Sequence, residues 1–214
     1  MSPTVQGDDQ VLFNQVFIDA QVEREVDNDQ LSVTMVVEHE GNQPDDIARK
    51  VNKDMQWALN LANTCKGVEV GTGSYQTYPV YKVRIIVGWR ATQELQLRSI
   101  NISELTELVG ELQRKLQVRQ MSFSPTKETR VKIENDLINE AMEAFKDRVN
   151  IIKTHMDNKD YRIVDLRINT GQAQPIIYQE RMMSMTTTRI ADAPAVEAGT
   201  SKVVITVSGS VQFF

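Results

Sequence analysis

Between Ile47 and Cys65 apolar residues return at every third or fourth position, at Ile47, Val51, Met55, Ala58, Ala62 and Cys65. The segments on either side alternate with period two instead. A helix with one apolar stripe, set between half-buried strands, has to lay that stripe on a sheet. The chain is therefore confined to layered α+β folds.

The rest of the chain follows the same grammar. Val11 to Val26 reads as a strand, with Asp27-Asn28-Asp29 as a turn into a second strand carrying Leu31, Val33, Met35 and Val37. This predicts a β-hairpin with a short connection. Pro44, Asp45 and Asp46 open the first helix, where acids suit the dipole, and Lys66-Gly67 closes it. Val68 to Tyr81 and Val83 to Ile100 are two long strands. Asn101 and Glu104 form a capping box ahead of a helix with Leu105, Leu108, Val109, Leu112 and Leu116 on one face. Met121 and Phe123 mark a short strand.

Ser124-Pro125 introduces the longest helix, over 25 residues by its pattern, with Val131, Leu137 or Ile138, Ala141, Phe145, Val149, Ile152 and Met156 as its core face. Its length suggests a partner surface. Tyr161 to Ile168 and Lys202 to Phe214 are the last strands. In the closing one Val203, Ile205, Val207 and Val211 form the buried parity and Gly209 is a candidate bulge. The order β-β-α-β-β-α-β-α-β-β predicts a two-lobed α+β fold, with mainly antiparallel sheets packed against long amphipathic helices. Residues 1–10 are expected to be a flexible leader, and residues 11–214 two intertwined lobes.

Charge and cysteine content narrow the functional classes. The net charge of -5 comes from 29 acidic and 24 basic residues spread along the chain, so nucleic acid is not an expected partner. Cys65 is the only cysteine, which excludes an intramolecular disulfide and cysteine-rich zinc sites. No apolar run reaches the length of a membrane span.

Candidate chemical motifs mostly have structural explanations. His39 lies between Glu38 and Glu40, but in a strand the glutamates face away from it, so the three do not converge on a metal. His155 sits near a helix C-terminus, where it suits the dipole. Gly71-Thr72-Gly73-Ser74 lacks the lysine and helix of a phosphate loop and reads as a bulged strand. Cys65 lies on an apolar stripe and reads as a core residue. Asn101-Ile102-Ser103 is a glycosylation sequon that its role as a helix start accounts for. Two places are left for chemistry. Met182, Met183 and Met185 are thioethers of the kind that bind Cu(I) or absorb oxidants, and otherwise pack adaptably. Tyr75, Tyr78, Tyr81 and Trp89 gather on one strand pair as an interaction patch, or simply cap a sheet edge. No catalytic, cofactor-binding or metal site is expected.

Several segments together resemble the SIMPL-domain family, and especially its exported YggE-like bacterial branch. They are Val33-Thr34-Met35-Val36-Val37-Glu38, the helix with Asn52 and Ala58-Leu59, Tyr75-Gln76-Thr77-Tyr78-Pro79-Val80-Tyr81 leading into Gly88-Trp89-Arg90-Ala91, and Leu95-Gln96-Leu97. The Phe123 strand, the long helix with Ala141, Ala144, Phe145 and Arg148, and the strand from Val203 to Phe214 complete the match. The resemblance runs from about Asn14 to Phe214; the link Lys82 to Val87 is shorter than the polar turn of many relatives. It implies an export signal upstream and a periplasmic or cell-envelope location, against a cytoplasmic alternative. It also implies a two-lobed fold, homo-oligomers, an association with oxidative-stress tolerance and no assigned catalytic residues; animal relatives are kinase-interacting adaptors. The expectation is a non-enzymatic, self-assembling envelope protein without cofactors, with a small-molecule or Cu(I) binder as the alternative.

Overall fold

The computed structural model describes residues 13–157, 160–171, 174–175 and 197–214. The elements run β1 (Gln15–Asp27), β2 (Gln30–Gly41), α1 (Pro44–Ala62), β3 (Glu69–Lys82), β4 (Ile85–Ser99), α2 (Ile102–Leu112), β5 (Gln117–Ser124), α3 (Lys127–His155), β6 (Tyr161–Thr170), β7 (Gln174–Pro175) and β8 (Thr200–Phe213). The chain divides into two compact units, and each is discontinuous in sequence. One holds Met1–Glu25, Lys127–Gln174 and Lys202–Phe214; the other holds Val26–Thr126 and Pro175–Ser201. The α+β class is as the sequence predicts.

The unit centred on residues 26–126 is a sheet of order β3-β4-β2-β5 covered by α1 and α2. Strand β4 is antiparallel to β2, with Leu31 opposite Ser99, Met35 opposite Leu95 and Gly41 opposite Trp89. Leu31, Val33, Met35 and Val37 of β2 and Ala91, Leu95 and Leu97 of β4 form the sheet side of one buried cluster. Ile47, Val51, Met55, Ala58 and Ala62 of α1 and Leu105, Leu108, Val109 and Leu112 of α2 form its helix side. Helix α1 ends at Ala62, short of the expected Lys66-Gly67, and Cys65 is half-buried in the turn that follows.

The predicted capping box at α2 forms with different partners. The Asn101 side chain accepts the Glu104 N–H at 3.3 Å, but Glu104 accepts from the Asn101 amide at 3.0 Å instead of from its backbone N–H. That N–H donates to Ser99 Oγ at 2.9 Å, and the hydroxyl donates to the Gly67 carbonyl at 2.7 Å.

The other unit is a sheet of order β1-β8-β6, with β7 also paired to β8. Strand β8 buries Val203, Ile205, Val207, Val211 and Phe213, as its parity predicts. Leu137, Ala141, Phe145 and Val149 on α3 and Ile18 and Ala20 on β1 are buried as well. Val131 is 41% exposed, against its assignment to the α3 core face. No residue from Lys127 to Asp136 is buried, so the stripe starts at Leu137.

The expected hairpin of the first two strands does not form, because β1 and β2 belong to different sheets. The residues between them have other uses. Asn28 donates its N–H to the Gly199 carbonyl at 3.2 Å and its amide to the Ala198 carbonyl at 2.7 Å, and accepts Ser201 Oγ at 2.6 Å. Asp29 accepts the backbone N–H and hydroxyl of Thr126. Two short polar side chains that suggest a turn thus tie the start of β2 to distant stretches of the chain.

Candidate functional site

Because α1 and α2 cover one side of the β3-β4-β2-β5 sheet, strand alternation leaves the other side polar. Ser32, Thr34, Glu38 and Glu40 of β2 share it with Arg90, Thr92, Glu94, Gln96 and Arg98 of β4. Near one end of it Arg90 donates from Nε and a terminal nitrogen to Glu40 at 3.1 and 2.7 Å, with Glu38 3.4 Å away. Glu40 first, then the Tyr78 hydroxyl and Glu38, raise the pKa of Arg90 above its ordinary value. Beside this cluster lies an open depression of about 370 Å³ lined by Glu38, Gln76, Tyr78, Thr92, Gln117 and Arg119.

The register separates the aromatic residues of the predicted patch. Tyr75 is opposite Gln93 and Pro79 is opposite Trp89, which places Tyr75 and Trp89 on the helix-covered side; Trp89 packs against the core. Tyr78 is opposite Arg90 and lies on the polar side. Tyr81 follows a register shift between Val80 and Tyr81 near the hairpin end and is 61% exposed. The four residues therefore do not form a single surface. Their alternate numbering already carried that signal.

Gly71 to Ser74 lies within β3, and the register shifts between Thr72 and Tyr75, as expected of a bulged strand. On the helix side His39 Nε2 is 2.8 Å from Asp54 Oδ2, while Lys115 donates to Asp54 Oδ1 at 2.7 Å and stands 5.1 Å from the centre of the Trp57 ring. His39 and the two glutamates thus point apart, as alternation requires. Burial works to raise the Asp54 pKa, but Lys115 and His39 outweigh it and hold the carboxyl below its usual value. Sequence reading missed this trio because its members lie on β2, on α1 and after α2. No group of three or more metal-ligating side chains occurs among the described residues, and Met182, Met183 and Met185 lie outside them.

Two apolar surfaces stand out. The β3–β4 connection is the two-residue turn Val83-Arg84, with φ of 48° and 70°. Both residues are in the left-handed region that tight hairpins favour but that Asn-Gly fills far more easily than Val-Arg. Around it Tyr81, Val83, Ile85, Ile86 and Val87 are 61, 89, 69, 48 and 50% exposed. In the other unit, β6 pairs on one side with β8 and on the other with no strand among the described residues. Ile163, Val164, Leu166 and Ile168 along it are 37–44% exposed.

The fold defines an α+β chain of two units, each with an antiparallel sheet and its own helix or helices. The family model described as SIMPL, protein of unknown function (DUF541), matches residues 16–211, and the chain belongs to that family. No curated protein matches. No helix among the described residues is long and apolar enough to cross a membrane.

Proposed function

We propose that this chain is a non-enzymatic protein that self-assembles into homo-oligomers in the periplasm or cell envelope and contributes there to oxidative-stress or envelope homeostasis. The carrying observation is β6, ten residues long, with four partly exposed aliphatic side chains and an edge that pairs with no strand among the described residues. Unpaired N–H and C=O groups on such an edge template the addition of another strand. A second copy supplies one of the same length and pattern, and a two-fold axis makes the contact self-complementary. The titratable groups described support a non-catalytic reading: Arg90 is held by two glutamates, and Asp54 by His39 and Lys115.

Light scattering on the size-fractionated protein at micromolar concentration tests the assembly, with a mass above 24.3 kDa expected. Val164→Lys, at a 43% exposed position on the edge strand, is expected to shift the distribution toward monomer. A strictly monomeric wild type would remove the proposal. For the cellular role, peroxide survival of export-competent cells is expected to be higher with wild type than with Val164→Lys.

A further inference from the structure

We propose that the tip of the β3–β4 hairpin docks this chain on the surface of an anionic lipid bilayer. Tyr81, Val83, Ile85, Ile86 and Val87 place five largely uncovered apolar side chains within seven consecutive residues. An exposed apolar cluster of this density marks an interaction surface, since scattered surface residues would not concentrate at one turn.

Three features select a bilayer as the occupant. The first is charge. Lys82 and Arg84 interleave with the apolar residues, and neither has an ion-pair partner among the described residues. Their long stems can lie along the acyl boundary while the cationic ends reach lipid phosphates, and the Tyr81 ring suits the same interfacial depth. The chain as a whole carries a net charge of -5, so this attraction is local to the tip.

The second is the backbone. Tyr81 is opposite Ile86 and Lys82 is opposite Ile85, so cross-strand pairing continues to the last residue before the turn. A paired hairpin brings fewer unsatisfied polar groups into an apolar boundary than an open loop does. Val83 also holds the apex at φ 48°, where a β-branched residue is strained. A polar turn would be easier to form, so the apolar apex stands out.

The third is the character of the rival surface. Two copies meeting tip to tip would bring Lys82 and Arg84 against their own counterparts, whereas a plane of phosphates accepts both charges of a tip. Contact through one tip is small, so binding is reversible and needs both the apolar and the electrostatic part.

Sedimentation of the full chain with vesicles tests this. Wild type is expected to sediment with phosphatidylcholine–phosphatidylglycerol vesicles and to stay in the supernatant with phosphatidylcholine alone. The double variant Val83→Asp, Ile85→Asp is expected to bind roughly tenfold more weakly with a melting midpoint no lower than that of wild type, because both positions are solvent-exposed and Asp tolerates the positive φ of position 83 better than Val. Lys82→Gln and Arg84→Gln should each weaken binding about fivefold at low salt. Three results would overturn the proposal. Wild type could fail to sediment with the anionic vesicles, or the double Asp variant could sediment as wild type does, which would mean adsorption through charge elsewhere. The third is that wild type stays in the supernatant while the double Asp variant loses oligomeric mass in light scattering, assigning the tip to a second copy.

Discussion

Val83 and Arg84 occupy backbone positions where L residues with a Cβ meet steric opposition. Replacing them by Asn and Gly supplies the residues a type I′ turn favours, and the double change should stabilise the protein by about 1–2 kcal/mol. A thermal melt should show the midpoint rising by about 2–8 °C. Asp54 makes a second prediction at this scale. Its folded pKa lies below the unfolded value, so its ionised form adds stability above the unfolded pKa, and that contribution is lost as pH falls through the folded one. Asp54→Asn should cost about 1 kcal/mol at neutral pH, with the deficit shrinking as the medium is acidified below pH 4. Denaturant midpoints of the two proteins along a pH series check both sign and window. At single residues the sequence was legible where period two decides the outcome, as for His39 between its glutamates. It was silent on the Asp54 trio, whose partners are 15 and 61 positions away.

At the scale of elements, stripes and parities were readable and connections were not. The α1 and α2 stripes and the buried side of β8 match the sequence pattern because one face of each is dry. The missing β1–β2 hairpin shows the limit, since Asn28 and Asp29 suit a turn chemically yet their hydrogen bonds go to Gly199 and Thr126. In the pairing of β6 with β8 the bulge lies not at Gly209 but on the partner strand. The pairing of β6 with β8 shifts between Ile163 and Asp165, leaving Val164 as the extra residue. Gly209 has a different reason to be glycine. An added Cβ would sit 2.5 Å from the Asp165 carbonyl oxygen and 3.3 Å from the Phe145 ring. Gly209→Ala should therefore destabilise the protein by about 1–3 kcal/mol, because backbone has to move, and urea unfolding would register it as a lower midpoint.

At the scale of the molecule, element order indicated two intertwined lobes, but not which stretches of chain make up each. That arrangement depends on β8, near the end of the chain, pairing with β1 near its start, and no local pattern encodes the partner of a strand. One core is the cluster built on α1 and α2; Phe145 and the buried side of β8 lie outside it. Both tryptophans, Trp57 and Trp89, belong to that cluster. Their fluorescence thus reports one unit, while far-ultraviolet circular dichroism reports both. Phe145 is fully buried on α3, and Phe145→Ala should cost its own core about 3–5 kcal/mol. If the units unfold separately, the variant will lose helical ellipticity at a lower urea concentration than it loses its tryptophan signal, by a margin that wild type does not show. Coincident transitions shifted together would mean that β1 and β8, whose residues are divided between the units, couple them into one cooperative structure.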